Sequence, residues 1–274
     1  MTAPKSNSYI ETRDGVRLCL RECGAGRPVL FVHSWAVSSR LWDYQFAALG
    51  DAGVRCLAYD RRGHGRSDEP AGGYDFDTLA DDLADVIDAL DVDELTLVGH
   101  SMGPGEIVRY LTRHGGAKVK RLVFLAPALP FLKQTPDNPD GVPEEMLEAL
   151  RGAWRQDFPK WITDNTPPFF TPETSPAMMR WGAEMLLQTS LPVAIACNRA
   201  VTDTDFRAEL KQIAKPTLLI HGDNDVSTPL AMTGEPTAAL IPGCELKVYE
   251  GAPHGLMFTH AERLNADLLA FIGD

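Results

Sequence analysis

Short apolar runs recur along the chain, each followed by a stretch with helical spacing, and this alternation restricts the fold more than any other feature. Residues 29–32 in "RPVLFVHS" form such a run, and "VRCLAYD", "ELTLVGH" and "VKRLVFLAP" follow it. An unbroken apolar run of strand length suits a strand covered on both faces, as in a parallel sheet. The intervening stretches carry the other period. "SRLWDYQFAALGDAG" puts Leu41, Phe46 and Leu49 on one side, and "FDTLADDLADVIDALDV" makes a stripe of Leu79, Leu83, Val86, Ile87 and Leu90. "MGPGEIVRYLTRHGG" reads as a helix closed by Gly115 and Gly116. Ahead of all this, "SYIETRDGVRLCLREC" alternates apolar and polar residues around Asp14-Gly15, the pattern of a β-hairpin.

The rhythm is lost from about residue 131 to residue 197, a stretch rich in Pro, Trp, Phe and Met with helical pieces such as "PEEMLEALRGAW". It resumes with the strand "KPTLLIHGD", a helix over "PLAMTGEPTAAL" partly broken by Pro236, the strand "ELKVYE" and the helix "HAERLNADLLAFI". The expected fold class is therefore α/β: a mostly parallel, doubly wound sheet from residues 1–130 and 198–274, with a helical lid inserted at 131–197. Such sheets bind ligands beyond the carboxyl ends of their strands. A lid placed there would line an apolar pocket with some of Trp154, Trp161, Phe169, Phe170, Met178, Met179 and Trp181.

Net charge and cysteine usage remove several classes of function. At −12 the chain argues against a nucleic-acid or anionic-membrane surface, both of which need clustered Lys and Arg. Its five cysteines are widely spaced and include no C-x-x-C, so neither a disulfide framework nor a zinc site is suggested. "MTAPKSNSYIETRDG" lacks an apolar stretch of signal-peptide length, and a cytoplasmic setting is expected.

"LVGHSMG" carries the chemistry. Gly99-His100-Ser101-Met102-Gly103 matches G-x-S-x-G, with a strand before it and a helix after it. Ser101 then sits on a sharp strand-to-helix turn, where larger residues than Gly99 and Gly103 would clash with neighbouring backbone. Pro104 falls in the first helical turn, where its missing N–H has no acceptor to lose. A serine hydroxyl needs a general base. Of the seven histidines, His254 in "YEGAPHGLMF" follows the last strand, on the same strand-end face as Ser101. "LLIHGDNDVSTP" offers Asp223 and Asp225 as the carboxylate that would orient it.

With these motifs in order, the sequence resembles the α/β-hydrolase superfamily, and within it the cofactor-free (non-heme) haloperoxidase, aryl esterase and lactonase branch. The resemblance rests on "YDRRGHGRSD", "GYDFDTLADDL", "LVGHSMG", "RYLTRHG", "HGDNDVSTP" and "GAPHGL", and covers nearly the whole chain outside the lid. It implies Ser101 as nucleophile and His254 as base. The family's G-x-x-D-x-x-x-P pattern falls on Gly222, Asp225 and Pro229, which implies Asp225 as the acid. It further implies an oxyanion hole from the backbone N–H groups of Met102 and Trp35.

Three departures stand out. His33-Ser34-Trp35 replaces the usual His-Gly before the aromatic residue, and Pro104 stands where Gly is commoner. Ala36 stands where peroxide-using members carry proline, so Ala36→Pro is expected to raise peracid formation relative to hydrolysis. The expected function is a serine esterase or lactonase acting on a small-molecule ester or lactone. It needs no cofactor, and no metal is expected. Substrate contacts come from Trp35, Trp154, Trp161 and Phe170. Alternatives are a cofactor-free perhydrolase or haloperoxidase, or a ligand receptor on the same fold with weak turnover. No nucleic acid or membrane partner is expected, and homo-oligomerisation is left open.

Overall fold

The computed structural model describes residues 8–273. The first seven residues and Asp274, counted with the core above, lie outside the described residues. One 8-stranded sheet is built from β1 (Ser8–Glu11), β2 (Arg17–Cys23), β3 (Pro28–Val32), β4 (Arg55–Tyr59), β5 (Leu95–His100), β6 (Val119–Leu125), β7 (Thr217–Gly222) and β8 (Glu245–Tyr249). The strand order is β1-β2-β4-β3-β5-β6-β7-β8. The first hairpin is antiparallel, β2 meets β4 antiparallel, and all later pairings are parallel. Gly15 turns the hairpin at φ 85°, a conformation glycine adopts without a Cβ penalty.

The helices are α1 (Asp43–Asp51), α2 (Phe76–Ala89), α3 (Gly103–His114), α4 (Glu144–Asn165), α5 (Pro176–Leu186), α6 (Leu191–Asp203), α7 (Arg207–Leu210), α8 (Gly234–Leu240), α9 (Leu256–Thr259) and α10 (Ala261–Gly273). No helix among the described residues is long and apolar enough to cross a membrane.

Period two on the strands decides which helices cover which face. Leu30, Val32, Leu97, Leu122 and Phe124 pack with the apolar stripe of α2 and with Ile107 and Val108 of α3. Their sequence neighbours Val29, Phe31, Val98, Val123 and Leu125 point the other way, toward Leu49 of α1 and Leu264, Leu268 and Ile272 of α10. Every residue of β5 is buried, which explains why its sequence shows no polar alternation. The stripe on α2 is buried as expected, and Asp75 caps that helix by accepting from the Thr78 N–H at 2.9 Å. Burying each such leucine stabilises the fold by about 2 kcal/mol.

Two readings of the helices need correction. The helix expected across "PLAMTGEPTAAL" begins only at Gly234, so Pro236 lies in its first turn and does not break it. The helix entering from the lid runs through residue 197 and continues to Asp203. Within the lid, α4 is interrupted at Asp157, whose φ of −158° is not helical. Pro159 lacks the N–H that a continuous helix would use, and the Asp157 carboxylate instead accepts from the Lys160 N–H at 2.9 Å.

The winding fixes where a site can form. From β3 the chain moves to β4 on one side, then returns to place β5 on the other. The carboxyl ends of β3 and β5 therefore flank the point where strand order reverses, the crevice where open parallel sheets bind ligands.

Candidate active site

Ser101 follows β5 directly at that crevice. Its φ is 57°, a left-handed conformation that a non-glycine residue holds only when its surroundings enforce it. The enforcing contacts are two backbone hydrogen bonds: the Ser101 N–H donates to Leu125 O at 3.0 Å, and Ser101 O accepts from the Ala128 N–H at 2.8 Å. The flanking glycines are steric necessities. A Cβ on Gly99 would stand 2.8 Å from Pro104 N, and one on Gly103 would stand 2.5 Å from Val32 O. Because the second clash is with backbone of the central strand β3, Gly103→Ala is expected to cost about 2 kcal/mol and to lower Tm by roughly 5 °C. A thermal melt superimposable on the wild type would show that β3 yields freely.

His254 sits in the loop between β8 and α9, and lines the same cavity as Ser101. Its Nδ1 lies 2.7 Å from Asp225 Oδ2. Asp223, the other carboxylate of that loop, faces away and accepts from the Gly251 N–H at 2.6 Å. Asp225 is itself held by the N–H groups of Ser227 at 2.8 Å and Thr228 at 2.9 Å, both on Oδ1. Burial opposes its ionisation, yet the His254 and His221 imidazoles and the Thr228 N–H outweigh burial and hold the carboxyl below the usual range. The Thr228 hydroxyl bridges the pair, 2.9 Å from Asp225 Oδ2 and 3.1 Å from His254 Nδ1. His100 is fully buried, with Nε2 3.0 Å from the His254 carbonyl oxygen. Burial and the neighbouring His254 push its imidazole well below its ordinary range. It is therefore neutral near pH 7 and braces the loop of His254.

The loop after β3 carries Trp35. Among the described residues, no backbone acceptor meets the N–H of Trp35 or of Met102. Buried Arg61 shapes this loop from below. It donates to His33 O at 2.8 Å and to Ser34 O at 3.2 Å, its backbone N–H donates to His33 Nε2 at 2.9 Å, and its charge meets Glu106 at 2.8 Å. Glu106 also accepts from the Tyr59 hydroxyl. Ala36 has φ 55°. Proline is confined to φ near −65°, so it cannot occupy this backbone. Ala36→Pro would therefore have to move the backbone of this loop.

The lid covers a cavity of about 400 Å3 over the crevice. Ser101, Met102, Trp35 and His254 line it, as do Trp154, Trp161, Phe169 and Phe170 of the lid. Trp35 stacks on Trp154 at 4.9 Å between ring centroids. Met178, Met179 and Trp181 do not line it. Trp181 packs outside it against Tyr44 and Phe258. Sequence reasoning missed Thr228, Phe258, Met185 and Asn198, which do line the cavity. Thr228 lay inside a motif already singled out, but a threonine in a turn-rich loop carries no signal of its own.

The chain matches the family described as alpha/beta hydrolase fold over residues 27–261. It is 40% identical to a non-heme chloroperoxidase of Kitasatospora aureofaciens over 268 residues, covering 95% of this chain and 98% of that one. Among solved structures, a bromoperoxidase from Bacillus anthracis superposes with a TM-score of 0.93 at 33% identity, covering 98% of this chain and 100% of the other. An esterase from Exiguobacterium antarcticum gives 0.94 at 30% identity, with coverage of 98% and 100%. The chain thus belongs to the alpha/beta-hydrolase family, in its non-heme haloperoxidase and esterase branch.

Proposed function

We propose that this protein is a serine hydrolase that cleaves carboxylic esters or lactones through an acyl-enzyme intermediate. The observation that carries this reading is the 2.7 Å contact of Asp225 with His254, whose imidazole shares one cavity with Ser101. In this reading Ser101 Oγ attacks the carbonyl carbon while His254 takes its proton. Asp225 holds the imidazole tautomer and stabilises the imidazolium. The Trp35 and Met102 N–H groups donate to the oxyanion, each worth a few kcal/mol in the barrier. The carbonyl–oxygen bond to the leaving alcohol breaks and the alcohol takes the proton from His254. Water, deprotonated by the same imidazole, then attacks the acyl-enzyme, and Ser101 is released. A panel of p-nitrophenyl esters of increasing chain length, run beside acyl-homoserine and simple γ-lactones, tests this. A chromogenic burst with at least one ester supports it, and no turnover of any member overturns it.

Among the described residues, the cavity lining contains no Asp, Glu, Lys or Arg. A charged acyl group would be desolvated there without a partner. The expected kcat/KM for a butyryl ester exceeds that for the succinyl half-ester by on the order of 100-fold. Equal values would contradict an apolar acyl site. The five cysteines are free thiols, which fits a reducing, cytoplasmic setting.

A second reading is favoured by the haloperoxidase names of the relatives. Hydrogen peroxide in place of water at the acyl-enzyme would yield a peracid, which oxidises halide. Because Ala36 differs from proline in both residue type and backbone, hydrolysis of p-nitrophenyl acetate is expected to outrun monochlorodimedone bromination in acetate and peroxide. Bromination faster than hydrolysis would reverse the order of the two readings.

A further inference from the structure

One polar side chain of the cavity is held in a fixed orientation and left with a free donor. On α6, Ala194, Asn198 and Val201 stand at i, i+4 and i+7, which places them on one face. Asn198 and Val201 line the cavity, and the Ala194 carbonyl accepts from Trp35 Nε1 at 2.7 Å. Behind Asn198 lies Arg151, which is 1% exposed. Its Nε donates to Asn198 Oδ1 at 2.8 Å, Nη1 donates to Glu148 at 2.7 Å, and Nη2 donates to the Thr202 hydroxyl at 2.6 Å. The Asn198 oxygen is thereby occupied, and the amide cannot flip without unpairing a buried guanidinium. Its Nδ2 is left with no acceptor on the described residues. Leu132, Leu150 and Val201 line the same cavity and supply none.

We propose that Asn198 is a specificity residue: its Nδ2 donates to a second acceptor oxygen of the substrate, remote from the reacting carbonyl. The ligand class is an ester or lactone whose chain carries a neutral ether, keto or amide oxygen, in preference to a plain alkyl ester. This rests on the hydrolase reading above. An alkyl chain beside Nδ2 displaces water and leaves a donor unpaired, whereas an ether or carbonyl oxygen pairs with it. Donation from Arg151 into Oδ1 polarises the amide and strengthens its N–H groups as donors. A neutral oxygen fits better than a carboxylate because Glu148 already meets the Arg151 charge.

The test compares p-nitrophenyl hexanoate with analogues in which each methylene beyond the α-carbon is exchanged in turn for an ether oxygen. The ratio of kcat/KM for the best ether analogue to that for hexanoate is expected to fall roughly fivefold to tenfold from the wild type to Asn198→Leu, the worth of one neutral hydrogen bond. Asn198→Asp keeps an oxygen for Arg151 and removes the donor, so it separates recognition from mere support of Arg151. The same fall is expected there. The second readout needs no turnover: Kd values of the corresponding methyl esters for Ser101→Ala, with and without each Asn198 change, followed by tryptophan fluorescence. A ratio of kcat/KM and of Kd that neither Asn198 change moves overturns the proposal while leaving the hydrolase intact. Absence of ester turnover with a Kd ratio that does respond to Asn198 upholds the donor and removes the hydrolase reading.

Discussion

Ser101→Ala is expected to lower kcat on p-nitrophenyl butyrate by roughly 10^6-fold while the protein melts near the wild-type temperature. The loss is large because the hydroxyl is the only group on this turn able to form the acyl bond. The neighbours that would remain, the Trp35 and Met102 N–H groups and the apolar walls, bind and polarise a carbonyl but cannot attack it. The fold is expected to persist because the left-handed turn is held by backbone, from Ser101 N–H to Leu125 O and from Ala128 N–H to Ser101 O. Alanine keeps both bonds. Purified variant with turnover near that of the wild type would remove Ser101 from the chemistry and take the acyl-enzyme reading with it.

The two carboxylates of one loop are expected to differ by orders of magnitude. Asp225→Asn should lower kcat by roughly 10^4-fold, since an amide cannot stabilise imidazolium and its NH2 favours the wrong tautomer of His254. The Ser227 and Thr228 N–H groups would still meet its oxygen, so the loss falls on catalysis more than on the loop. Asp223→Asn should cost less than about tenfold, because an amide oxygen can still accept from the Gly251 N–H that Asp223 now holds. The comparison of kcat for the two purified variants decides it. A reversal, with Asp223→Asn the more damaging, would mean that the loop rearranges when substrate binds and that Asp223 supplies the acid.

Much of the architecture was legible along the chain because its causes are local or periodic. A strand buried on both faces has to be mostly apolar, and β3, β5 and β7 are, with Thr and His only near the ends of β5 and β7. A helix laid on such a sheet has to carry a stripe at 3.6 spacing, and α2 does. A turn as tight as the one at Ser101 admits only glycine on either side, for reasons of contact distance that the sequence already displays. The face that carries both Ser101 and His254 also follows from order alone, since loops after parallel strands emerge at one edge of the sheet.

What stayed hidden depends on contacts between residues far apart in sequence or on a single backbone angle. Asp223 and Asp225 are two residues apart in one loop, and only the fold turns one toward His254 and the other toward Gly251. The lid aromatics look alike as letters, yet Trp154 and Trp161 line the cavity while Trp181 packs outside it, because no apolar period tells a helix which of two apolar surroundings its face will meet. Nothing in "VHSWAV" announces φ 55° at Ala36, a conformation uncommon for alanine. The free donor of Asn198 exists only because Arg151, 47 positions earlier, occupies its oxygen. Sequence by itself determined the sheet, the elbow and the face of the site, through sterics and periodic burial. Tertiary structure decided which carboxylate meets His254 and which lid side chains and unpaired donor line the cavity, because those outcomes rest on long-range pairing that no local pattern encodes.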